Sequence, residues 1–478
     1  MKAIPVAKAV ERDGRLIQRL IHVEEPVYCV NVHTGKRRQI SFRALYDHNA
    51  LFWNNPDAEW NFYLDKQRVE EHLKQIRENA ESFEEHERSR RRFVASLSEQ
   101  DRISEEEVRG AEEGHRRGPN FSQYYDTILE QPIAQREETL KVHHQNLEQL
   151  LRLPKPDEKV AEALADSTRD TALINKSVME KALQMGDDEA KRFTRAIVDN
   201  TRKLVKSSTG LIDSTFIHDD LIRSIVKKSN GTVVQHMTRV YLKGVSFLLF
   251  YNHKILSTSF ANRVRINFRH SYRDLYHRLL PQLLKEDVVL ERVFNSGLQA
   301  VSETQLHTFA TGFMLHDIGK ARNIEYHEGE EAYDREMVVD HVRHGYLALM
   351  KKMDYPPQAG LITGYHHEYY NHPDGYGYYR AMLSRHLKEH PKQRPGYCIA
   401  YTVETLASFN ALAYFPAKLL EIIDVYDALT DPNRIYKPPL PPEDAVKVME
   451  NQFIKEELKL DPILFHLFLE YLEKEQLL

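Results

Sequence analysis

From about Thr171 to the C-terminus, apolar residues recur at three- and four-residue intervals: Val178 to Leu183, Phe193 to Val205, Leu221 to Val226, Val233 to Phe250 and Leu275 to Leu284. That spacing puts them on one face of a 3.6-residue helix, and no convincing strand interrupts the series, so an all-helical domain over 171–478 is expected. The first seventy residues read differently. Pro26 to Val32 is rich in β-formers, His33-Thr34-Gly35-Lys36 suits a turn, and Arg37 to Phe42 returns, which predicts a hairpin in a small β-containing module over 1–70. Trp53 and Trp60, the only two tryptophans, are expected to be core or docking aromatics.

Between these regions the composition turns to Glu, Arg, Lys and Gln, and 71–170 reads as a charged helical connector. Glu70 to Leu97 suits a solvated helix with opposite charges at i,i+4 spacing, and Ser98 to Gly118 reads as helix or linker. The basic run Arg88 to Arg92 follows Glu81, Glu84, Glu85 and Glu87, so it reads as a salt-bridged surface. Helical patterning resumes over Phe121 to Leu153 and breaks at Pro154-Lys155-Pro156. The fold class expected is mainly α with a small β module, and no repeat of fixed period is present.

Net charge narrows the partners. With 66 Lys+Arg against 71 Asp+Glu, the chain carries -5, which disfavours a nucleic-acid polymer that would demand a basic surface. Cys29 and Cys398 are the only two cysteines, so neither a disulfide framework nor a thiolate zinc site is available. Any metal would be held by His, Asp and Glu. The most apolar run, Gly244 to Tyr251, is far shorter than the roughly 18 residues of a membrane span, and Met1 to Glu11 does not resemble a signal peptide, so a cytoplasmic protein without membrane insertion is expected.

The 24 histidines are then the feature to explain. Chemistry-bearing residues gather in order: Leu315-His316-Asp317-Ile318-Gly319-Lys320; His341 with Gly345; His366-His367-Glu368; and Asp424-Val425-Tyr426-Asp427-Ala428-Leu429-Thr430. His218-Asp219 shows that a lone His-Asp pair is cheap. His316-Asp317 differs because it closes the apolar run Phe309 to Leu315 and precedes a glycine suited to ending the helix. Imidazole and carboxylate together suit divalent Fe or Mn, and two such ions can share one carboxylate. His366 and His367, if helical, point about 100° apart and serve two ions, or one ion and a supporting role. Asp424 and Asp427 share a face of a helix over Ala417 to Leu429, and a carboxylate buried there would need a cation.

In these motifs the chain resembles the HD-GYP cyclic dinucleotide phosphodiesterases, over about residues 171–450. The resemblance implies an HD-superfamily helical domain in which His316, Asp317, His341, His366, His367 and Asp424 ligate metal, with Asp317 bridging. His236, in Val234-Gln235-His236-Met237-Thr238-Arg239-Val240, matches the family's first ligand histidine. It further implies that Lys320 faces the scissile phosphate and that Arg434 and Lys437 line the nucleotide pocket. Thr232 stands where three-metal members carry glutamate, so two ions are expected. Gly377-Tyr378-Tyr379 replaces Gly-Tyr-Pro, which frees φ at Tyr379 and puts the loop's shape in question.

Asp427 is expected to hydrogen-bond a ligand imidazole, and Glu368 is assigned a similar supporting role. Tyr378 is the expected substrate contact within a cluster that includes Tyr365, Tyr369, Tyr370 and Tyr376; packing at a helix junction explains the cluster equally well. His327, His344, His372, His386 and His390 are expected at the surface. The activity implied is hydrolysis of cyclic di-GMP to pGpG, and on to GMP after a second cycle, in bacterial signal transduction. The alternatives are a binding module that does not hydrolyse, or a phosphohydrolase of another nucleotide. A homodimer through the connector and signalling partner proteins follow from the order of domains alone.

Overall fold

A strand pairs only where its side chains suit both faces, and the expected hairpin meets that condition. In this computed structural model the described residues are 3–10, 16, 20, 23, 25–42, 45, 60–74, 131–152, 158–215, 233–322, 335–431 and 439–475. Strands β2 (Pro26–Asn31) and β3 (Arg37–Ser41) pair antiparallel with Pro26 opposite Ser41. The turn closes through Gly35, whose φ of 65° suits glycine and whose N–H donates to the Asn31 carbonyl at 3.0 Å. The hairpin is half of a four-stranded sheet in the order β1-β4-β2-β3, where β1 is Ala3–Pro5 and β4 is Trp60–Asp65. Val27, Cys29 and Leu64 point into a core shared with Val6 and Ala9 of α1 (Val6–Val10). Trp60 packs on the edge of that core under the Arg38 guanidinium. Trp53 lies outside the described residues.

The chain divides by contacts into Met1–Arg102 and Ile103–Leu478. The expected 71–170 connector spans that division. Residues 66–74 are helical in the first unit, whereas α2 (Ile133–Leu150) packs against α3 (Glu158–Leu183) and α4 (Asp187–Thr215) in the second. Polar contacts join them alongside buried leucines such as Leu140, Leu147 and Leu164: His143 lies 2.9 Å from Asp170 and 3.0 Å from Ser167, and Arg136 donates to Ser177 at 2.9 Å.

The second unit is helical, as the periodicity requires, with one departure. Tyr397–Ala400 (β5) and Ala411–Tyr414 (β6) form a two-stranded parallel sheet. These runs are buried almost throughout, so they lack the alternation that marks a half-buried strand. The expected Leu275 to Leu284 helix is also shorter, ending at Leu279 just before Pro281. The Leu221 to Val226 segment lies outside the described residues.

Three helices form the centre: α5 (Val233–Ser257), α6 (Glu303–Leu315) and, further along the chain, a helix over Phe415–Thr430 that is buried from Phe415 to Asp427. α6 starts on a capping box between Ser302 and Gln305. α7 (Arg335–Leu347) packs against α8 (Pro357–Tyr365), which in turn packs against α6, followed by α9 (Tyr378–Glu389), α10 (Phe415–Thr430) and α11 (Pro462–Lys474). Gly312 lets α6 and α8 approach, since a Cβ there would stand 2.5 Å from Ile362 Cδ1.

Two consequences are measurable. Gly312→Ala should lower stability by about 1–3 kcal/mol, read from the midpoint of urea unfolding. Burial pushes the Lys176 ammonium in α3 down to about 8 from 10.5, with Glu180 opposing. Between these values the unfolded chain binds more protons, so stability should rise by about 3 kcal/mol from pH 8 to 10.5. Lys176→Met should remove that rise.

Candidate metal centre

The last carbonyls of a helix have no partner within it, and two histidines use them. His316, at the end of α6, places Nδ1 2.8 Å from the Phe313 carbonyl, and His366, at the end of α8, places Nδ1 2.8 Å from the Thr363 carbonyl. A carbonyl only accepts, so Nδ1 holds the proton and Nε2 keeps its lone pair. Nε2 of His316, His366 and His367 is buried without a hydrogen-bond partner among the described residues. Such atoms are costly unless a cation meets them.

Gly319 brings the third segment in. It lies in a tight turn over Ile318–Arg322, and a Cβ there would stand 1.9 Å from the His341 carbonyl. Its role is therefore close approach to α7, not the helix termination expected from sequence, for α6 has already ended at His316. Gly345 completes the contact, where a Cβ would stand 2.6 Å from Thr363 Cγ2.

Asp317 sits between two sets of imidazoles. Its Oδ1 lies 3.1 Å from His341 Nε2 and 3.5 Å from His366 Nε2, while its Oδ2 lies 3.4 Å from His236 Nε2 and 3.6 Å from His316 Nε2. Asp317, His341, His366 and His367 each offer an atom within 4.8 Å of the others, and so do His236, His316 and Asp424. All seven expected ligands are thus gathered into two adjoining groups that could hold metal. His366 and His367, with ring centroids 4.0 Å apart, both belong to the first group, so adjacency does not divide them between the two.

Protonation suits a divalent cation, which takes neutral imidazole and ionised carboxylate. Burial pushes His316 down to about 3, burial and the Lys320 ammonium push His341 down to about 4, and burial holds His367 well below its ordinary value. Burial would raise Asp317, but Lys320 and the surrounding imidazoles hold it well below the usual carboxylate range. Asp424 is depressed similarly, burial being outweighed by His236. His236 is the exception: burial lowers it, yet its contacts with Asp317, Asp424 and Asp427 raise it to about 10, so a metal ion would have to displace its proton.

Asp427 anchors the arrangement. It accepts from His236 Nδ1 at 2.9 Å, from Arg239 Nη2 at 2.9 Å and from Lys243 Nζ at 2.7 Å. Burial would raise its pKa, but Arg239 and Lys243 hold it well below the ordinary value. Being ionised, it holds His236 Nδ1–H and turns Nε2 toward Asp424, 2.9 Å away. Arg239 also reaches Asp431 at 2.6 Å. Sequence reasoning missed Arg239, Lys243 and Asp431; the spacing His236, Arg239, Lys243 along one helix face was the available signal.

Two expectations need correction. Glu368 accepts the N–H of Arg380 at 3.1 Å and that of Tyr379, so it serves the N-terminus of α9 and not a ligand imidazole. Tyr378 packs on Tyr346 at 5.0 Å, whereas the ring beside the imidazoles is Tyr376, 4.3 Å from His367 and 6.0 Å from His341. Tyr379 is seated, not loose: its hydroxyl donates to the Ala411 carbonyl at 2.8 Å. Lys320 Nζ lies 2.6 Å from Asp317 Oδ2. Arg434, Lys437, Thr232, His218, Asp219 and His327 lie outside the described residues. His372, Asp374 and Glu457 form another His/acid group near the surface, where Lys459, 2.7 Å from Asp374, already meets the carboxylates.

Comparisons with protein-family models, with curated proteins and with solved structures find no match for this chain. Among the described residues no helix is long and apolar enough to cross a membrane.

Asp427→Ala should destabilise the protein by about 3–5 kcal/mol, because Lys243 would stay buried without its counter-ion and Arg239 would keep only Asp431. Denaturant unfolding checks this, and a loss under about 1 kcal/mol would show that the cluster is solvated.

Proposed function

We propose that this chain is a metal-dependent phosphodiesterase of HD-GYP type that hydrolyses cyclic di-GMP to pGpG. The observation that carries the reading is Asp317, which presents one carboxylate oxygen to each of two ligand groups, the first buried and the second buried except for a half-buried His236. That is the disposition expected of a bridging ligand between two divalent ions, Fe or Mn by donor type. Bound there, the ions would supply Lewis acidity toward phosphate oxygens and a water made nucleophilic near neutral pH.

The chain's own residues account for the rest. His316 and His366 are held in the Nδ1–H tautomer by helix-end carbonyls, and Asp427 does the same for His236. Lys320, a partly buried ammonium beside Asp317, stabilises negative charge developing on the phosphate. Tyr376, against His367, is the ring to meet a guanine base, in place of Tyr378. Arg434 and Lys437 hold the second phosphate or guanine in this proposal. A binding module that does not hydrolyse is the alternative, motivated by Tyr379 in place of proline and Thr232 in place of glutamate. Cytoplasmic signalling, with Met1–Arg102 as a regulatory unit in a homodimer, is the setting we propose.

Purified wild type should retain two equivalents of Fe or Mn and linearise cyclic di-GMP. His316→Ala and Asp317→Ala should lose metal and reduce turnover by about 100-fold or more. Wild type that binds no metal, or turnover indifferent to both substitutions, would sink the proposal.

A further inference from the structure

The two residues after His366-His367-Glu368 are an unusual pair: Tyr369 has φ 45° and Tyr370 has φ 52°, both in the left-handed region and neither a glycine. Consecutive left-handed residues with a Cβ are disfavoured by sterics, so the surrounding structure must hold them. The reversal they create sends the chain back under His367, whose carbonyl accepts the N–H of Tyr376 at 2.9 Å and of Gly377 at 3.1 Å.

The holding groups come from α10. Lys418, Glu421, Asp424 and Asp427 follow one another at every third residue of this helix, and all four are buried. Asp424 and Asp427 belong to the metal centre; Lys418 and Glu421 do not. Glu421 forms an ion pair with Lys418 and accepts the Tyr369 N–H at 3.1 Å. Lys418 also donates to the Lys459 carbonyl at 2.6 Å and stands 3.9 Å over the Tyr370 ring. The Tyr370 hydroxyl donates to Asp461, the N-cap of α11, at 2.6 Å. Each residue of the left-handed pair is therefore gripped separately.

We propose that Lys418 and Glu421 are positioning residues, which fix the left-handed Tyr369-Tyr370 reversal and thereby the placement of His367 around one ion. The inference rests on the metal-centre reading above. It assigns the pair to one half only, because His236, His316 and Asp424 are carried by α5, α6 and α10 without passing through this reversal.

The test is a titration of metal-stripped full-length protein with Mn, with bound metal measured directly and unfolding monitored alongside. Wild type should take up two equivalents. Replacing both residues by apolar ones, Lys418→Met with Glu421→Leu, removes the acceptor for Tyr369 N–H without leaving a lone buried charge; one equivalent should weaken at least 10-fold while the other is kept. Lys418→Met with Glu421→Gln retains an oxygen for the Tyr369 N–H but loses the cation over the Tyr370 ring, and should weaken the same equivalent by only about 3-fold. Two unchanged equivalents in the apolar pair would overturn the inference while leaving the metal centre standing, and so would equal weakening of both equivalents. Loss of one site in the Gln variant as well, with its unfolding transition intact, would overturn the role of the hydrogen bond. Wild type that takes up no metal overturns both readings.

Discussion

Burying charge in a helical core is expensive unless each charge is answered, and the second unit is organised around that constraint. Asp427 is its clearest case: a carboxylate sealed from solvent, met by a guanidinium, an ammonium and an imidazole from one face of α5. This fixes how α5 and α10 face each other, since a rotation of either would leave Arg239 or Lys243 buried alone. Asp317 and Asp424, also buried, pose the same demand beside it. There the protein supplies Lys320 and imidazoles, while ring nitrogens of His316, His366 and His367 are left for a cation.

Helix ends do much of the orienting. α6 and α8 both stop at a histidine that spends Nδ1 on its own helix's unpaired carbonyl. One hydrogen bond thus satisfies an orphan acceptor, selects a tautomer and aims Nε2 at the cluster. Glycine sets the spacing: at Gly319 and Gly345 even a methyl group would collide with the backbone or side chain of the neighbouring segment. Packing density and ligand geometry are consequently one problem here, as removing the close approach would also withdraw His341.

Much of this was legible in the sequence because it depends on local spacing. The i,i+3 relation of Asp424 and Asp427, the polar end of the apolar run at His316-Asp317 and the hairpin around Gly35 are all short-range. What escaped is long-range. Glu368 looked like a supporting ligand group because it follows two histidines, yet its side chain caps a helix that begins ten residues on, as its bond to Arg380 N shows. Tyr378 and Tyr376 were indistinguishable until the chain reversal placed one on Tyr346 and the other on His367. β5 and β6 were hidden because strands buried on both faces carry no alternation.

The sequence by itself determined the fold class, the helix faces and the set of candidate ligands, since periodicity and residue chemistry are written along the chain. Which imidazoles share a group, which oxygen of Asp317 faces which, and the grip of Lys418 and Glu421 on Tyr369-Tyr370 were decided only by tertiary structure. The physical reason is that a ligand group is defined by atoms within a few ångströms. Here those atoms come from segments up to 188 residues apart, as His236 and Asp424 are, and only the packing of helices brings them together.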